Sequence, residues 1–181
     1  MSNTPQVNIE ALHTALKTQI TAAFPALKDV GHYPRPGSRV ATPAIYYELD
    51  SIEVTDPQDV GTEQVRCSLT FNAYCVVSYK GEAQLAARTL AASFMAWLRG
   101  KRFGQPIGIA QPMSANPDTL AGDAGDAYEV IRVMWQHEPV YLGVSVWDPS
   151  GVVPTEVWLG IDPNTGVAHL SDYIKLAPPA P

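Results

Sequence analysis

The side chains that most often carry catalysis or bind metals are scattered along this sequence. The four histidines, His13, His32, His137 and His169, lie in separate segments, and the sequence has neither a His-x-x-x-His nor a Cys-x-x-Cys pair. Metal sites that are readable from sequence use ligands at such short spacings. No Gly-x-Ser-x-Gly motif marks a nucleophilic serine. The sequence therefore predicts no metal, no cofactor and no catalytic residue, and we expect a protein that is not an enzyme.

The densest group of ionisable residues is an acidic cluster that no basic residue interrupts: Glu48, Asp50, Glu53, Asp56, Asp59 and Glu63. Its spacing does not match the calcium loop of an EF-hand. Two interpretations remain open. The cluster is either a solvated hairpin arm or the site of a soluble α+β ligand-binding or enzymatic domain, in which His137 and Glu138 are further candidates.

The two cysteines, Cys67 and Cys75, occupy the same face of one predicted strand. A regular strand separates such positions by about 26 Å, whereas the Cα atoms of a disulfide lie roughly 4.4–6.8 Å apart. We therefore expect two small buried side chains rather than a disulfide or a shared metal site.

Composition narrows the classes of partner. The chain has 181 residues, a hydrophobic fraction of 46% and a net charge of −6. The length suits one domain with an appendage, and the acidic balance argues against a protein that neutralises nucleic-acid phosphates. No run approaches the roughly 20 apolar residues of a membrane span. The first residues lack the basic region and the apolar core of a signal peptide, so we do not expect secretion. We expect no membrane partner.

A long strand must organise the fold. From Val65 to Tyr79 every second residue is apolar or aromatic, which predicts a β-strand with one buried face. The preceding stretch 43–55 also alternates, and its change of phase near Asp50–Ser51 indicates a bulge. With a turn at 56–61, these two strands form a predicted β-hairpin.

Two amphipathic helices are expected to cover the buried face. One spans about 9–24, with Asn8 as N-cap and Pro25 after its end. The other spans 82–99 and is followed by Gly100, a residue suited to the helix C-terminus. The predicted fold class is α+β: a mainly antiparallel β-sheet with two helices packed on one face, plus a C-terminal β-rich extension. The expected core comprises Leu69, Phe71, Leu90, Phe94 and Trp97.

The remaining segments give weaker patterns. We predict a connecting loop at 25–43, a surface loop at 114–126, and a strand over 128–137 that ends at Pro139. The domain boundary is expected at residue 143. The segment 144–181 should contain short β runs at 144–147, 155–161 and 167–170, followed by a proline-rich tail.

The extension 144–181 carries large apolar residues that a free tail would expose, among them Trp147, Trp158, Leu159 and Ile161. A segment of this size rarely folds alone without disulfides or metal. Its apolar face is expected to be buried on its own domain, on a neighbouring subunit or on another protein. We favour the intermolecular contact, because such clusters commonly anchor interfaces.

The order of these elements resembles the tail terminator (tail completion) proteins of long-tailed bacteriophages, especially those of contractile, Mu-like phages. The resemblance spans residues 7–143. It rests on the strand Thr42-Pro-Ala-Ile-Tyr-Tyr-Glu-Leu, the strand Leu69-Thr-Phe-Asn-Ala-Tyr-Cys-Val-Val with an alanine-rich helix directly after it, and the strand Tyr128-Glu-Val-Ile-Arg-Val-Met-Trp-Gln.

The resemblance implies a structural virion protein, assembled in the host bacterial cytoplasm and located in the tail or neck. Copies of the chain would form a six-fold ring that caps the tail tube, ends its polymerisation and presents a surface for head attachment. Its partners would be the tail tube and sheath proteins and the head–tail connector or neck protein, with DNA only passing through the lumen. The acidic cluster and the apolar residues of the extension become interface candidates.

Overall fold

The computed structural model describes residues 6–33, 40–56, 61–119, 128–143, 157–161 and 165–176. The chain divides into two compact units, Met1–Val146 and Trp147–Pro181. The boundary expected at residue 143 lies just before this division.

The N-terminal unit is built on one five-stranded sheet. Its strands are β1 (Asp29–His32), β2 (Ala44–Asp56), β3 (Val65–Ser78), β4 (Ala110–Asp118) and β5 (Tyr128–Leu142). Their order across the sheet is β1-β2-β3-β5-β4. Strand β1 runs parallel to β2, and all other neighbours are antiparallel.

The predicted hairpin is present as β2 and β3, and it contains the expected bulge. Leu49 pairs with Phe71 and Ser51 pairs with Thr70, so Asp50 is an extra residue on β2. After the extra residue, even-numbered and odd-numbered side chains of β2 exchange sheet faces. Ile52 therefore lies on the same sheet face as its partner Leu69, although its number is even.

Two helices, α1 (Ile9–Ala23) and α2 (Ala83–Leu98), follow the predicted bounds closely. The side chain of Asn8 accepts a hydrogen bond from the N–H of Ala11 at 2.9 Å, as expected of an N-cap. Gly100, just beyond α2, has a φ of 78°, which a residue without Cβ adopts at low cost.

Both helices pack on one face of the sheet, which confirms the α+β class. The predicted core residues belong to a single hydrophobic cluster: Leu69, Phe71 and Phe94 as buried members, with Leu90 and Trp97 packed against them. Phe71 stacks on Trp135 with ring centroids 5.1 Å apart. Cys67 and Cys75 are buried free thiols in the same cluster, and burial raises the pKa of Cys75 to about 12.

Two predicted loops are partly wrong. The connection at 25–43 contains β1, whose four residues are too few for a visible alternation. The loop at 114–126 begins with the second half of β4, while its residues 120–126 lie outside the described ranges. Strand β4 carries two prolines and several polar residues, as an edge strand tolerates.

The expected end of the last sheet strand at Pro139 is also wrong, because β5 continues to Leu142. The pairing of β5 with β3 shifts between Cys67–Val140 and Leu69–His137. Pro139 therefore lies in a bulge, where the ladder does not require its missing N–H.

The described part of the C-terminal unit consists of two short strands and a 3₁₀ helix. Strand β6 (Val157–Leu159) pairs antiparallel with β7 (Ile174–Leu176), a strand that the sequence did not predict. The predicted β run at 167–170 is wrong, since Val167–Asp172 is a 3₁₀ helix. No helix in the described part of the chain is long and apolar enough to cross a membrane.

Candidate functional site

Three members of the acidic cluster lie together on β2, on or beside the sheet face that carries neither helix. Glu48 accepts a hydrogen bond from the hydroxyl of Tyr74 at 2.6 Å. Asp50 accepts one from the side-chain amide of Asn72 at 3.0 Å. Glu53 accepts one from the hydroxyl of Ser51 at 3.2 Å. These carboxylates are thus held by neutral donors from their own hairpin.

The phenol that binds Glu48 stays protonated. Burial and the hydrogen bond to Glu48 raise the pKa of Tyr74, and Tyr46 is shifted in the same direction by burial and its bond to Asp29. Both phenols are therefore hydrogen-bond donors over the whole physiological range.

The backbone of Asp56 pairs with that of Arg66 at the end of β2, and Glu63 is exposed, with a φ of 58°. Asp59 falls outside the described ranges. Among described residues, no group of three or more His, Cys, Asp or Glu side chains is arranged to hold a metal ion.

His137, a candidate of the enzymatic alternative, is fully buried. Its Nε2 accepts a hydrogen bond from Trp135 Nε1 at 3.1 Å, and its Nδ1 lies 2.8 Å from the Gly108 carbonyl oxygen. This arrangement requires the neutral tautomer with the proton on Nδ1. Burial lowers the pKa of His137. Both ring nitrogens are occupied, so the ring serves packing rather than a substrate. Its neighbour Glu138 lies 3.7 Å from Arg66.

The outer edge of β2 is a feature that sequence patterns did not reveal. The N–H of Tyr33 donates to the carbonyl of Tyr47 at 3.0 Å, so the backbone groups of Tyr47 point away from β3. Alternate residues of a strand share this direction. Before the bulge at Asp50, the odd-numbered residues of β2 direct their backbone N–H and C=O groups outward. After it, the even-numbered residues do so, and these include Ile52 and Val54.

No described residue pairs with these outward groups beyond the end of β1, whose partners on β2 stop at Tyr47. We call this region the open edge. It comprises the outward backbone groups of Leu49, Ile52 and Val54, together with the side chains of Ile52 and Val54. These two side chains are 49% and 59% exposed, on the sheet face that carries the helices.

The opposite edge of the sheet is closed. By the same alternation, its outward residues on β4 are Ala110, Pro112, Ala115 and Pro117. Ala110 donates its N–H to the Lys101 carbonyl at 2.7 Å and accepts from the Gly100 N–H at 3.2 Å. The two prolines have no N–H to offer. Prolines protect edge strands against pairing, and β2 contains none, so the two edges differ in their backbone donors.

A separate apolar groove of about 620 Å³ lies beside α2, where Phe24, Pro43 and Val77 line it with Leu85 and Leu90. Its volume is in the range of small-molecule sites. The acidic cluster does not line this groove.

The predicted apolar residues of the extension are exposed where they are described. Trp158 is 49%, Leu159 46% and Ile161 63% exposed, and the ammonium of Lys175 lies 5.6 Å from the centre of the Trp158 ring. Trp147 falls outside the described ranges. Their role in an interface stays a prediction.

No protein-family model matches the sequence, and no curated protein matches it either. Among solved structures, one chain whose name states no function has a TM-score of 0.48 and 17% sequence identity to this protein. That similarity covers 74% of this chain and 94% of the other chain. A similarity of this size carries no argument about function.

Proposed function

We propose that this protein is a structural component of a phage tail, which forms a ring on the tail tube, ends tube polymerisation and provides the surface for head or neck attachment. In this proposal its partners are further copies of the chain, in a six-fold ring, the tail tube and sheath proteins, and the connector or neck protein. DNA passes through the lumen without being bound.

The observation that carries the proposal is the open edge of β2. An unpaired strand edge with exposed apolar side chains is a liability that a free protein normally covers or blocks, and β4 is blocked in that way. An open edge is therefore better explained by pairing with another chain, as in β-augmentation. In the assembly, an extended segment of one of the tail or neck partners would cover this edge.

The charge of the hairpin fits the same function. Glu48, Asp50 and Glu53 place negative charge on one side of the hairpin, and the protein as a whole carries −6. In the proposed ring, the acidic cluster faces the lumen or the adjoining ring. Carboxylates that line the lumen repel DNA phosphates and so let DNA pass, whereas those that face the adjoining ring are open to cations of a partner protein.

The proposal is tested by removing this protein from a phage that encodes it and imaging the resulting tails by electron microscopy. We expect tails of irregular length without attached heads, and restoration of normal particles when the full chain is supplied from a plasmid. Native mass measurement should detect a ring, either of the free protein or on isolated tail tubes. Normal, head-bearing tails in the absence of the protein would contradict the proposal.

A further inference from the structure

We propose that the open edge of β2 binds an extended segment of another protein in which apolar residues alternate with lysine or arginine. The segment would add to the sheet as a further strand beside Leu49–Val54. This inference rests on the proposed function, because it specifies the chemistry of a partner in the assembly.

The backbone supplies the general affinity. The N–H and C=O groups of Leu49, Ile52 and Val54 point away from β3, and no described residue pairs with them. An extended segment alongside β2 would complete these hydrogen bonds. The same groups accept any sequence, so selectivity must come from the side chains on the two faces.

On the helix-bearing face, the edge selects apolar residues. Ile52 and Val54 are about half exposed there, and Val65, on the same side of the neighbouring strand, is 46% exposed. Side chains of an added strand stand directly beside those of β2. Apolar residues at every second position would therefore remove this surface from water.

On the opposite face, the edge selects cations. Glu48, Asp50 and Glu53 accept hydrogen bonds only from neutral groups, and no ion pair within the described part of the chain involves them. Lysine or arginine at the intervening positions of the added strand would face this negative charge. Electrostatic complementarity of this kind favours specific partners over wrong ones.

The same charge argues against a second copy of β2 as the occupant. Two such strands side by side would bring their acidic residues together, and like charges directly opposite each other destabilise a sheet. Strand β4 of a second copy is an unsuitable partner as well, because Pro112 and Pro117 remove two of its outward donors.

The test uses the full chain and a fluorescent peptide that alternates lysine and valine, with a control peptide of the same composition in which the lysines and valines form two separate blocks. Val54→Lys places a cation on the open edge. Met113→Lys is the matched control, because Met113 lies on the closed edge, is apolar and is 57% exposed, close to the 59% of Val54. Circular dichroism establishes that both variants are folded.

Fluorescence anisotropy should show that wild type and Met113→Lys bind the alternating peptide with equal affinity. Val54→Lys should bind it about tenfold or more weakly, and the block peptide should bind wild type similarly weakly. Hydrogen exchange should slow at the amides of Ile52 and Val54 when the peptide binds, whereas the amide of Glu53 already faces β3.

The inference is overturned if the two peptides bind equally, if Val54→Lys binds as wild type does, or if the alternating peptide does not bind. Self-association of the free protein that Val54→Lys abolishes would assign the open edge to a second copy and also overturn it. Tail assembly is measured separately, so loss of peptide binding with intact dependence of tails on this protein would refute the inference alone.

Discussion

At the scale of single residues, His137 shows how the core constrains ionisation. The ring accepts a hydrogen bond from the indole N–H of Trp135 and donates one to the carbonyl oxygen of Gly108. His13 is also buried, on α1 beside Tyr33 and Tyr47. Burial lowers the pKa of both imidazoles, and for His13 the nearby His32 adds to the effect.

These two histidines predict acid sensitivity. In the unfolded chain their pKa is about 6.5, so below about pH 6.5 the unfolded state binds more protons than the folded state. Stability is fully present above that pH and decreases as the pH falls through and below it. The unfolding free energy from urea titrations should be lower at about pH 5.5 than at about pH 7.5. His169→Gln removes a histidine whose side chain is 43% exposed, and this control variant should show the same difference between the two pH values. Equal stability at the two pH values would contradict the prediction.

Gly108 is a residue where no side chain fits. An ideal Cβ built there would lie 1.8 Å from the carbonyl oxygen of Glu138, so the backbone of β5 would have to move.

We therefore expect Gly108→Ala to destabilise the protein by about 1–3 kcal/mol, as overpacking does, measured by thermal unfolding. Ile109→Ala, at the 43% exposed neighbouring residue, should have a much smaller effect. A Gly108→Ala protein as stable as wild type would show that the loop at Gly108 does not pack against β5 as described.

At the scale of elements, α2 is held to the sheet by one buried stripe. Ala87, Ala91, Phe94 and Leu98 are buried, whereas Leu85 on the other side of the helix is 61% exposed. The ring of Phe94 contacts Trp135 edge-on, with centroids 5.9 Å apart. The small alanines let the helix approach the sheet, and Phe94 fills the space between them and β5.

Truncating Phe94 tests this packing. Phe94→Ala should cost about 3–5 kcal/mol of unfolding free energy, a large part of a typical stability of about 5–15 kcal/mol. Leu85→Ala on the same helix should cost much less, because little surface is buried there. The measurement is chemical denaturation monitored by circular dichroism. Similar losses for the two variants would mean that α2 packs by a different face.

At the scale of the whole molecule, the division after Val146 separates a unit with an extensive core from a smaller C-terminal unit. Within the described part of the smaller unit, exposed apolar residues are frequent: Trp158, Leu159, Ile161, Val167, Leu170 and Ile174. A unit that leaves such residues in water is poorly stabilised by its own contacts.

Deleting residues 144–181 should therefore leave a soluble, folded N-terminal unit that fails to assemble or to complete tails. Circular dichroism and thermal unfolding measure folding, and native mass measurement with tail complementation measures assembly. The full-length variant Trp158→Ala keeps the segment and removes one exposed aromatic side chain. It therefore shows whether loss of this side chain alone is enough to prevent assembly. If the deletion unfolds the N-terminal unit, the segment belongs to its core and the interface interpretation is wrong.

Several features of this protein were determined by the sequence alone, because they depend on local periodicity. The alternation from Val65 onward predicts β3, the apolar stripes predict α1 and α2, and the change of phase at Asp50 predicts the bulge. Each follows from the repeat of one backbone conformation, which neighbouring residues are enough to reveal. The burial of both cysteines follows from the same alternation.

Only the tertiary structure decided which edges of the sheet are free. Strand β1 is too short to show an alternating pattern, and the two prolines of β4 argue against a strand. The sequence therefore predicted neither of the strands at the edges of the sheet. The open edge depends on where β1 stops along β2, and the lowered pKa of His137 depends on its burial in the core. Both are set by contacts between residues far apart in the chain, and local periodicity carries no information about such contacts.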